Sequence, residues 1–96
     1  MSTDAGLVVT HDEQAHRYEG RLDGEVVARL DYVPQGSSIA MVHTEVVPAH
    51  ENEGLATQLV DEALQDVRRR GLRVVPACSF VRMHVRRHAE EYADIL

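Results

Sequence analysis

A run of β-branched residues that stops at Pro48, passes through Glu51-Asn52-Glu53-Gly54 and resumes as Leu55-Ala56-Thr57-Gln58-Leu59-Val60 constrains this chain more than any other stretch, because it joins a strand to a helix through a tight, small-residue loop. After Gly54 the apolar positions are Leu55, Ala56, Leu59, Val60, Ala63, Leu64 and Val67, spaced one, three and four apart, which is one stripe on a helix. Thr57, Gln58, Asp61, Glu62, Gln65, Asp66 and Arg68 to Arg70 fill the other face, and Gly71 is predicted to close the helix as a left-handed cap. A helix that starts directly after the loop turns its first, unpaired N–H groups back into it, a setting that suits an anion. Gly54 and Ala56 keep side chains out of the way, and Thr57 adds a hydroxyl. The same residues also read as a plain strand-to-helix turn in which Gly54 relieves backbone strain, and spacing alone leaves both readings open.

The rest of the chain supplies the partners of this unit. Met1 to Gly6 reads as a loose end, Leu7-Val8-Val9 begins a strand, and His16 to Leu22 is a second, half-exposed one. Asp23-Gly24 is a strong hairpin signal, since a type I′ turn needs positive φ at both central residues. Glu25 to Val33 is predicted to return from it, with Val26, Ala28, Leu30 and Tyr32 as the core side and Val27, Arg29, Asp31 and Val33 opposite. Pro34 to Ser38 is expected as a turn, and Ile39 to Val47 as the next strand. On that strand Ala40, Val42, Thr44 and Val46 share one side, and Ile39, Met41, His43, Glu45 and Val47 the other. Apolar residues on both sides predict a central strand with a layer on each face. Leu72 to Ala77 should run parallel to it after the helical crossover, and Phe80 to Tyr92 should form a last helix with Val81, His84, Val85, His88 and Tyr92 on one side.

Size and charge exclude several function classes. Ninety-six residues make one domain with a single core. All ten basic residues are Arg, set against 16 acidic ones, for a net charge of −6, which opposes nucleic-acid binding. No apolar run approaches the roughly 18 residues that span a bilayer, and the N-terminus lacks the pattern of a signal peptide, so a cytoplasmic protein without a membrane partner is expected. One cysteine forms no internal disulfide, in keeping with a reducing compartment.

His43-Thr44-Glu45-Val46, the loop Glu51 to Ala56, the helix ending at Gly71, Val74 to Phe80, and Arg86-Arg87-His88 with Glu91-Tyr92-Ala93 together resemble the small, single-domain branch of the GCN5-related N-acetyltransferases, over roughly residues 20 to 95. The resemblance implies an α+β fold of the three-layer α/β type. Its mixed sheet has an antiparallel meander, then β-α-β with splayed parallel strands, then a C-terminal helix, so that residues 1–96 form one minimal domain. It implies acetyl-CoA as cosubstrate and an amine as acceptor, whose identity the sequence leaves open along with the oligomeric state. In the family the loop pattern is Arg or Gln, two residues, Gly, one residue, then Gly or Ala, and it wraps the cofactor's pyrophosphate. Gly54 and Ala56 fit that pattern, while Glu51 stands at the Arg or Gln place and Asn52 where a further Gly often sits. The implied cofactor-binding set is therefore Glu51, Asn52, Glu53, Gly54, Leu55, Ala56 and Thr57 at the loop, with Val46, Val47 and Cys78 where the strands diverge.

A backbone N–H around Val46 or Val47 is the candidate for polarising the acyl carbonyl. Cys78 is a candidate acyl-carrying nucleophile or proton donor to the leaving thiolate, with His43 or a helix N-terminus after Ser79 to lower its pKa; its plain alternative is a small buried hydrophobe. Glu45 and His43 are candidate bases for the incoming ammonium, Glu45 being favoured slightly, although a carboxylate needs burial to titrate near neutrality whereas an imidazole does not. Arg82, Arg86 and Arg87 are candidate phosphate partners or else an exposed helical side. Arg68-Arg69-Arg70 complements the helix dipole and needs no ligand. His84 and His88, four apart, read as packed rings rather than metal ligands, so no metal is expected. A non-catalytic acyl-CoA sensor of the same fold, and a fold that has lost its ligand, remain alongside the transferase.

Overall fold

The structure is a computed structural model that describes residues 6–96; of the expected loose end, only Gly6 falls among them. Five strands, β1 (Val8–Asp12), β2 (Arg17–Leu22), β3 (Glu25–Gln35), β4 (Ser38–Val46) and β5 (Arg73–Pro76), lie side by side in chain order. The first four pair antiparallel and β5 runs parallel to β4. Between β4 and β5 comes α1 (Leu55–Arg69), and after β5 come α2 (Ser79–Arg87) and the short α3 (Ala89–Tyr92). This is the mixed-sheet α+β architecture that the sequence leads one to expect.

Local chemistry explains the joints. Asp23 and Gly24 both have positive φ, 51° and 85°, as the tight β2–β3 hairpin requires. At the far end of α1 the Leu72 N–H bonds to Val67 O at 3.1 Å and the Gly71 N–H to Arg68 O at 3.0 Å, the paired bonds of a glycine cap at φ +71°. The β3–β4 turn is shorter than expected. Gln35 faces Ser38 and Pro34 faces Ile39, so Gly36 and Ser37 alone form it. Pro34 is tolerated in the strand because its missing N–H points away from β4, on the side where β2 has already ended opposite Asp31.

Two bulges overturn the simple alternation expected of β3 and β4. Gly20 faces Ala28 and Arg21 faces Val26, which leaves Val27 as an extra residue. Val27 is thereby turned inward beside Ala28, and Val26 is pushed out to 40% exposure, the reverse of the expected assignment. On β4, Asp31 faces His43 and Tyr32 faces Met41, so Val42 is the extra residue. Thr44 and Val46 consequently share a side with Ile39 and Met41, while His43 and Glu45 go to the other.

The core is one-sided. Tyr18, Leu30, Tyr32, Ile39, Met41 and Val74 meet Leu59, Val60, Ala63, Leu64 and Val67 of α1, and each fully buried Leu there stabilises the fold by about 1.5–3 kcal/mol. Helix α2 joins the same cluster through Val81 and Val85, beside α1 rather than across the sheet. β4 is interior, between β3 and β5, as expected, but the second layer expected over its other face is absent among the described residues. That face carries exposed Val8, Val33, Val42 and Val75 and a charge ladder instead. Arg17 pairs with Asp31 at 3.5 Å, Arg29 with Asp31 and with Glu45 at 3.3 Å each, and Arg21 with Glu19 at 2.7 Å. Opposite signs alternate across that face.

The expected last helix is broken in two. At His88 the backbone leaves the helical region (φ −123°, ψ 43°), and the chain resumes as α3 at a new angle. The break lets Tyr92 bury completely while its hydroxyl donates to Asp61 Oδ1 at 2.6 Å; His84 Nε2–H donates to the same oxygen at 2.6 Å. Arg68 fastens the end of the chain with two 2.8 Å bonds to Asp94.

Candidate active site

Parallel pairing of β4 with β5 covers only Ser38 to Met41 against Arg73 to Pro76. One further rung, from the Cys78 N–H to Met41 O at 2.8 Å, closes the shared part; β4 then runs on to Val46 while the other chain turns into α2. The two strands diverge there, as expected. Along the diverging length of β4, successive N–H groups point alternately to β3 and into the gap. The Val47 N–H is committed to Val27 O at 2.9 Å, so of the two expected polarising donors it is the Val46 N–H that faces the gap.

The helix entrance borders the same space. Gly54 is the N-cap of α1 at φ +78°, Asn52 is also left-handed at φ 67°, and no side chain caps the helix. The first intrahelical bond runs from the Gln58 N–H to Gly54 O at 3.2 Å, which leaves the N–H groups of Leu55, Ala56 and Thr57 aimed into the loop. These residues, with Val46, His50, Glu51, Asn52, Gly54 and the ring of Phe80, line a cavity of about 320 Å³. A Cβ built on Gly54 meets no atom within 4 Å, so the space over the loop is open. Glu53 is partly compensated by His50, whose Nδ1 lies 3.0 Å from its carboxylate, and Glu51 is exposed. The cavity therefore combines main-chain donors and one imidazole, which suit phosphate oxygens, with one exposed carboxylate, Glu51, which opposes them.

Cys78 sits on the other side of the gap as the N-cap of α2, half-buried, with Sγ 3.5 Å from Thr44 Oγ1. Burial pushes its thiol up, but the Thr44 hydroxyl and the N–H groups of Val81, Phe80 and Thr44 outweigh this and hold it below its ordinary value. Thr44 first, and then the helix N-terminus, are thus the sources of the lowering. His43 is not one, because the β4 bulge puts it on the opposite side of the sheet.

There His43 Nε2–H donates to Glu45 Oε1 at 3.1 Å, and Arg29 adds its charge. The bond from His43 and the Arg29 guanidinium hold the Glu45 carboxyl below its usual range. Glu45 is about half exposed and ionised, which corrects the expectation that favoured it as a base raised by burial. With Nε2–H given to Glu45, a neutral His43 ring keeps its lone pair on Nδ1.

Arg82, Arg86 and Arg87 are all exposed on α2, the second of their two expected readings. Arg82 donates back to Ala77 O at 3.0 Å, and Arg86 borders a shallow surface near His88 and Glu90, two turns along α2 from the loop cavity. Phe80, one residue into α2, and His50, three before Glu53, line the cavity in their place. The signal for Phe80 was present in sequence, since it is the chain's one Phe and opens the last helix. His84 is buried, bonded to Asp61 and packed 4.7 Å from His88, and the described residues contain no group of three His, Cys, Asp or Glu able to hold a metal.

Comparison with known proteins agrees with this fold. Residues 17–95 match the family model described as GCN5-related N-acetyl-transferase. No curated protein matches the chain. Among solved structures, a GCN5-like protein from Staphylococcus aureus superposes with a TM-score of 0.67 at 20% identity, over 95% of this chain and 88% of that one. A GNAT family acetyltransferase from Brucella melitensis, solved with acetyl-CoA, gives a TM-score of 0.58 at 21% identity over 74% of this chain and 53% of its own. The ribosomal-protein-S18-alanine N-acetyltransferase of Escherichia coli gives 0.59 at 15% over 67% and 42%. The chain thus spans about half the length of the last two. At these identities the likeness is one of fold. No helix among the described residues is long and apolar enough to cross a membrane.

Proposed function

We propose, from the premise that this chain belongs to the GCN5-related N-acetyltransferase family, that residues 1–96 act as a minimal transferase domain moving the acetyl group of acetyl-CoA to an amine. One observation carries the reading: the Val46 N–H, the uncapped N-terminus of α1 and the Cys78 thiol border one gap and its adjoining cavity. The diphosphate of the cosubstrate would lie on the N–H groups of Leu55, Ala56 and Thr57, with Phe80 against the arm that leads from it. The thioester carbonyl would accept from the Val46 N–H, and that oxyanion contact is the electrostatic part of the catalysis.

The chain's own groups then move two protons. On the open face His43 Nδ1, oriented through its bond to Glu45, takes the proton of the ammonium and frees its lone pair. On the helical face Cys78, a better acid for its lowered pKa, protonates the departing thiolate. Direct attack by the amine needs no acetyl-cysteine. The lone cysteine suits a cytoplasmic setting.

A thermal shift with acetyl-CoA tests the site, since a ligand at 100 times its Kd adds about 2.7 kcal/mol to stability. Thiol release across a panel of amines tests the chemistry. Binding without release from any amine would leave an acyl-CoA-binding module. No shift at millimolar acetyl-CoA would defeat the proposal. The chain has no lysine, so its intact mass reports acetylation of Cys78 almost free of side-chain amine background; a native protein that gains one acetyl group, lost in Cys78→Ala, would replace direct attack by a covalent route.

A further inference from the structure

If the thioester lies along β4 with its carbonyl on the Val46 N–H, the side of that strand toward Cys78 and α1 is filled, and the amine must arrive from the open sheet face. On that approach, at the start of β3 and the end of β4, lies a second cavity of about 160 Å³ lined by Val26, Val27, Ala28, Arg29, Glu45 and Val47. We infer that this cavity selects a free, small aliphatic α-amino acid as acceptor, its side chain on the valines, its ammonium at Glu45 and His43, and its carboxylate on Arg29. The inference rests on the transferase reading above.

Three features point to that class. The volume equals roughly five waters, enough for the body of a small amino acid. The walls are aliphatic, and the bulge at Val27 is what forces Val26 outward to form one of them. Finally, the rim holds both charges. A lysine side chain or a peptide N-terminus would bring only a cation, for which Arg29 is an obstacle, whereas a free amino acid brings both signs. Arg29 has capacity for a carboxylate, because its side chain is 41% exposed and its contacts to Asp31 and Glu45 are 3.3 Å, longer than the usual charge-assisted bond of about 2.7–2.9 Å. Such a guanidinium offers five donors in a fork.

The step balances with these groups. The ammonium gives one proton to His43; the amine forms the C–N bond at the thioester carbon; the C–S bond breaks with its electron pair on sulfur. The new amide nitrogen loses a second proton to solvent, and the thiolate takes one from Cys78, which is reprotonated from water. In sum, acetyl-CoA and an α-ammonium acid give coenzyme A, the N-acetyl acid and one proton.

The test compares L-valine, isobutylamine, which is the same body without its carboxylate, and a blocked peptide with one lysine, in a thiol-release assay on the whole protein. L-Valine should exceed isobutylamine in kcat/KM by about 10- to 100-fold, the worth of a lost charged hydrogen bond. In Arg29→Met that ratio should fall toward one, and in Arg29→Lys it should lie between, each variant being checked for an unchanged acetyl-CoA thermal shift. If Arg29→Met does not fold, the native ratio and Arg29→Lys still decide. Equal use of valine and isobutylamine, or turnover of the peptide alone, overturns the inference while leaving the transferase standing, because acetyl-CoA binding is then intact. Loss of acetyl-CoA binding itself removes both.

Discussion

Placing a carboxylate on the first turn of α1 should raise stability and lower acetyl-CoA affinity at once. Ala56 is the second helical residue, half-buried beside the loop cavity, and no acidic residue occupies that turn. In Ala56→Asp the new charge meets the positive end of the helix dipole, worth about 0.3–1 kcal/mol. For a domain of this length that is a rise in Tm of roughly 1–8 °C. A bound diphosphate would bring two negative charges to about 5 Å from the same carboxylate, a repulsion of about 2–3 kcal/mol at effective dielectric constants of roughly 40–80. Kd for acetyl-CoA should therefore rise about 30- to 160-fold, and the penalty should shrink as salt shortens the screening length. Differential scanning fluorimetry reads the first effect and calorimetric titration at two salt concentrations the second. Opposite signs matter here, because a general loss of structure lowers both quantities together. A variant that gains stability yet binds acetyl-CoA as the native protein does would show that no polyanion rests on these amides. Gly54 is the less useful probe, since at φ +78° a Val strains the backbone whatever the ligand does.

Three further outcomes follow from the same geometry. Thr44→Val removes one of the bonds that lower the Cys78 pKa, so the midpoint of the pH–rate profile for iodoacetamide alkylation should move upward from its lowered native value; an unmoved midpoint refutes the Thr44 contribution. Asp61→Ala strands the buried His84 Nε2–H and the Tyr92 hydroxyl together, and should cost about 2–5 kcal/mol in urea unfolding. A change under about 0.5 kcal/mol would mean that Asp61 does not fasten α2 to α1. His11 is held below its ordinary value by desolvation and by the Arg70 guanidinium, which donates to its Nδ1 and leaves Nε2–H for Tyr32. Its folded pKa is depressed, so the unfolded chain binds the proton first; stability should be full above about pH 7 and fall as pH drops through 6.5, a slope that His11→Gln should flatten. Asp66 runs against burial, but bonds from Tyr18 and Arg70 hold it low, so it adds to the loss only at more acid pH, below about 4.

What the sequence reveals and what it conceals divide along a physical line. Asp23-Gly24, the stripe from Leu55 to Val67 and the Gly71 cap are local signals, each written within one turn of chain, and each appears in the structure at its expected place. The divergence of β4 from β5 was legible through resemblance, and Cys78 does border it. The bulges at Val27 and Val42 were not legible, because a bulge is a decision of the pair: neither strand alone encodes where the register slips. Yet that slip decides which face each one takes: it brings Thr44 to the side of Met41, where it meets Cys78, and turns His43 and Glu45 outward. Strict alternation would keep Val42, Thr44 and Val46 together and send Met41 with His43. Phe80 rather than Arg82 or Arg86 reaches the loop for a similar reason: the rotation of α2 is set by the bonds of His84 and Tyr92 to Asp61, 23 and 31 residues away. The residues that periodicity places wrongly are thus those from which the two sides of the candidate site are built. One extra residue in β4 turns Thr44 toward the Cys78 thiol and sends the His43–Glu45 pair to the open face, so that the proposed proton donor and proton acceptor stand on opposite sides of the sheet.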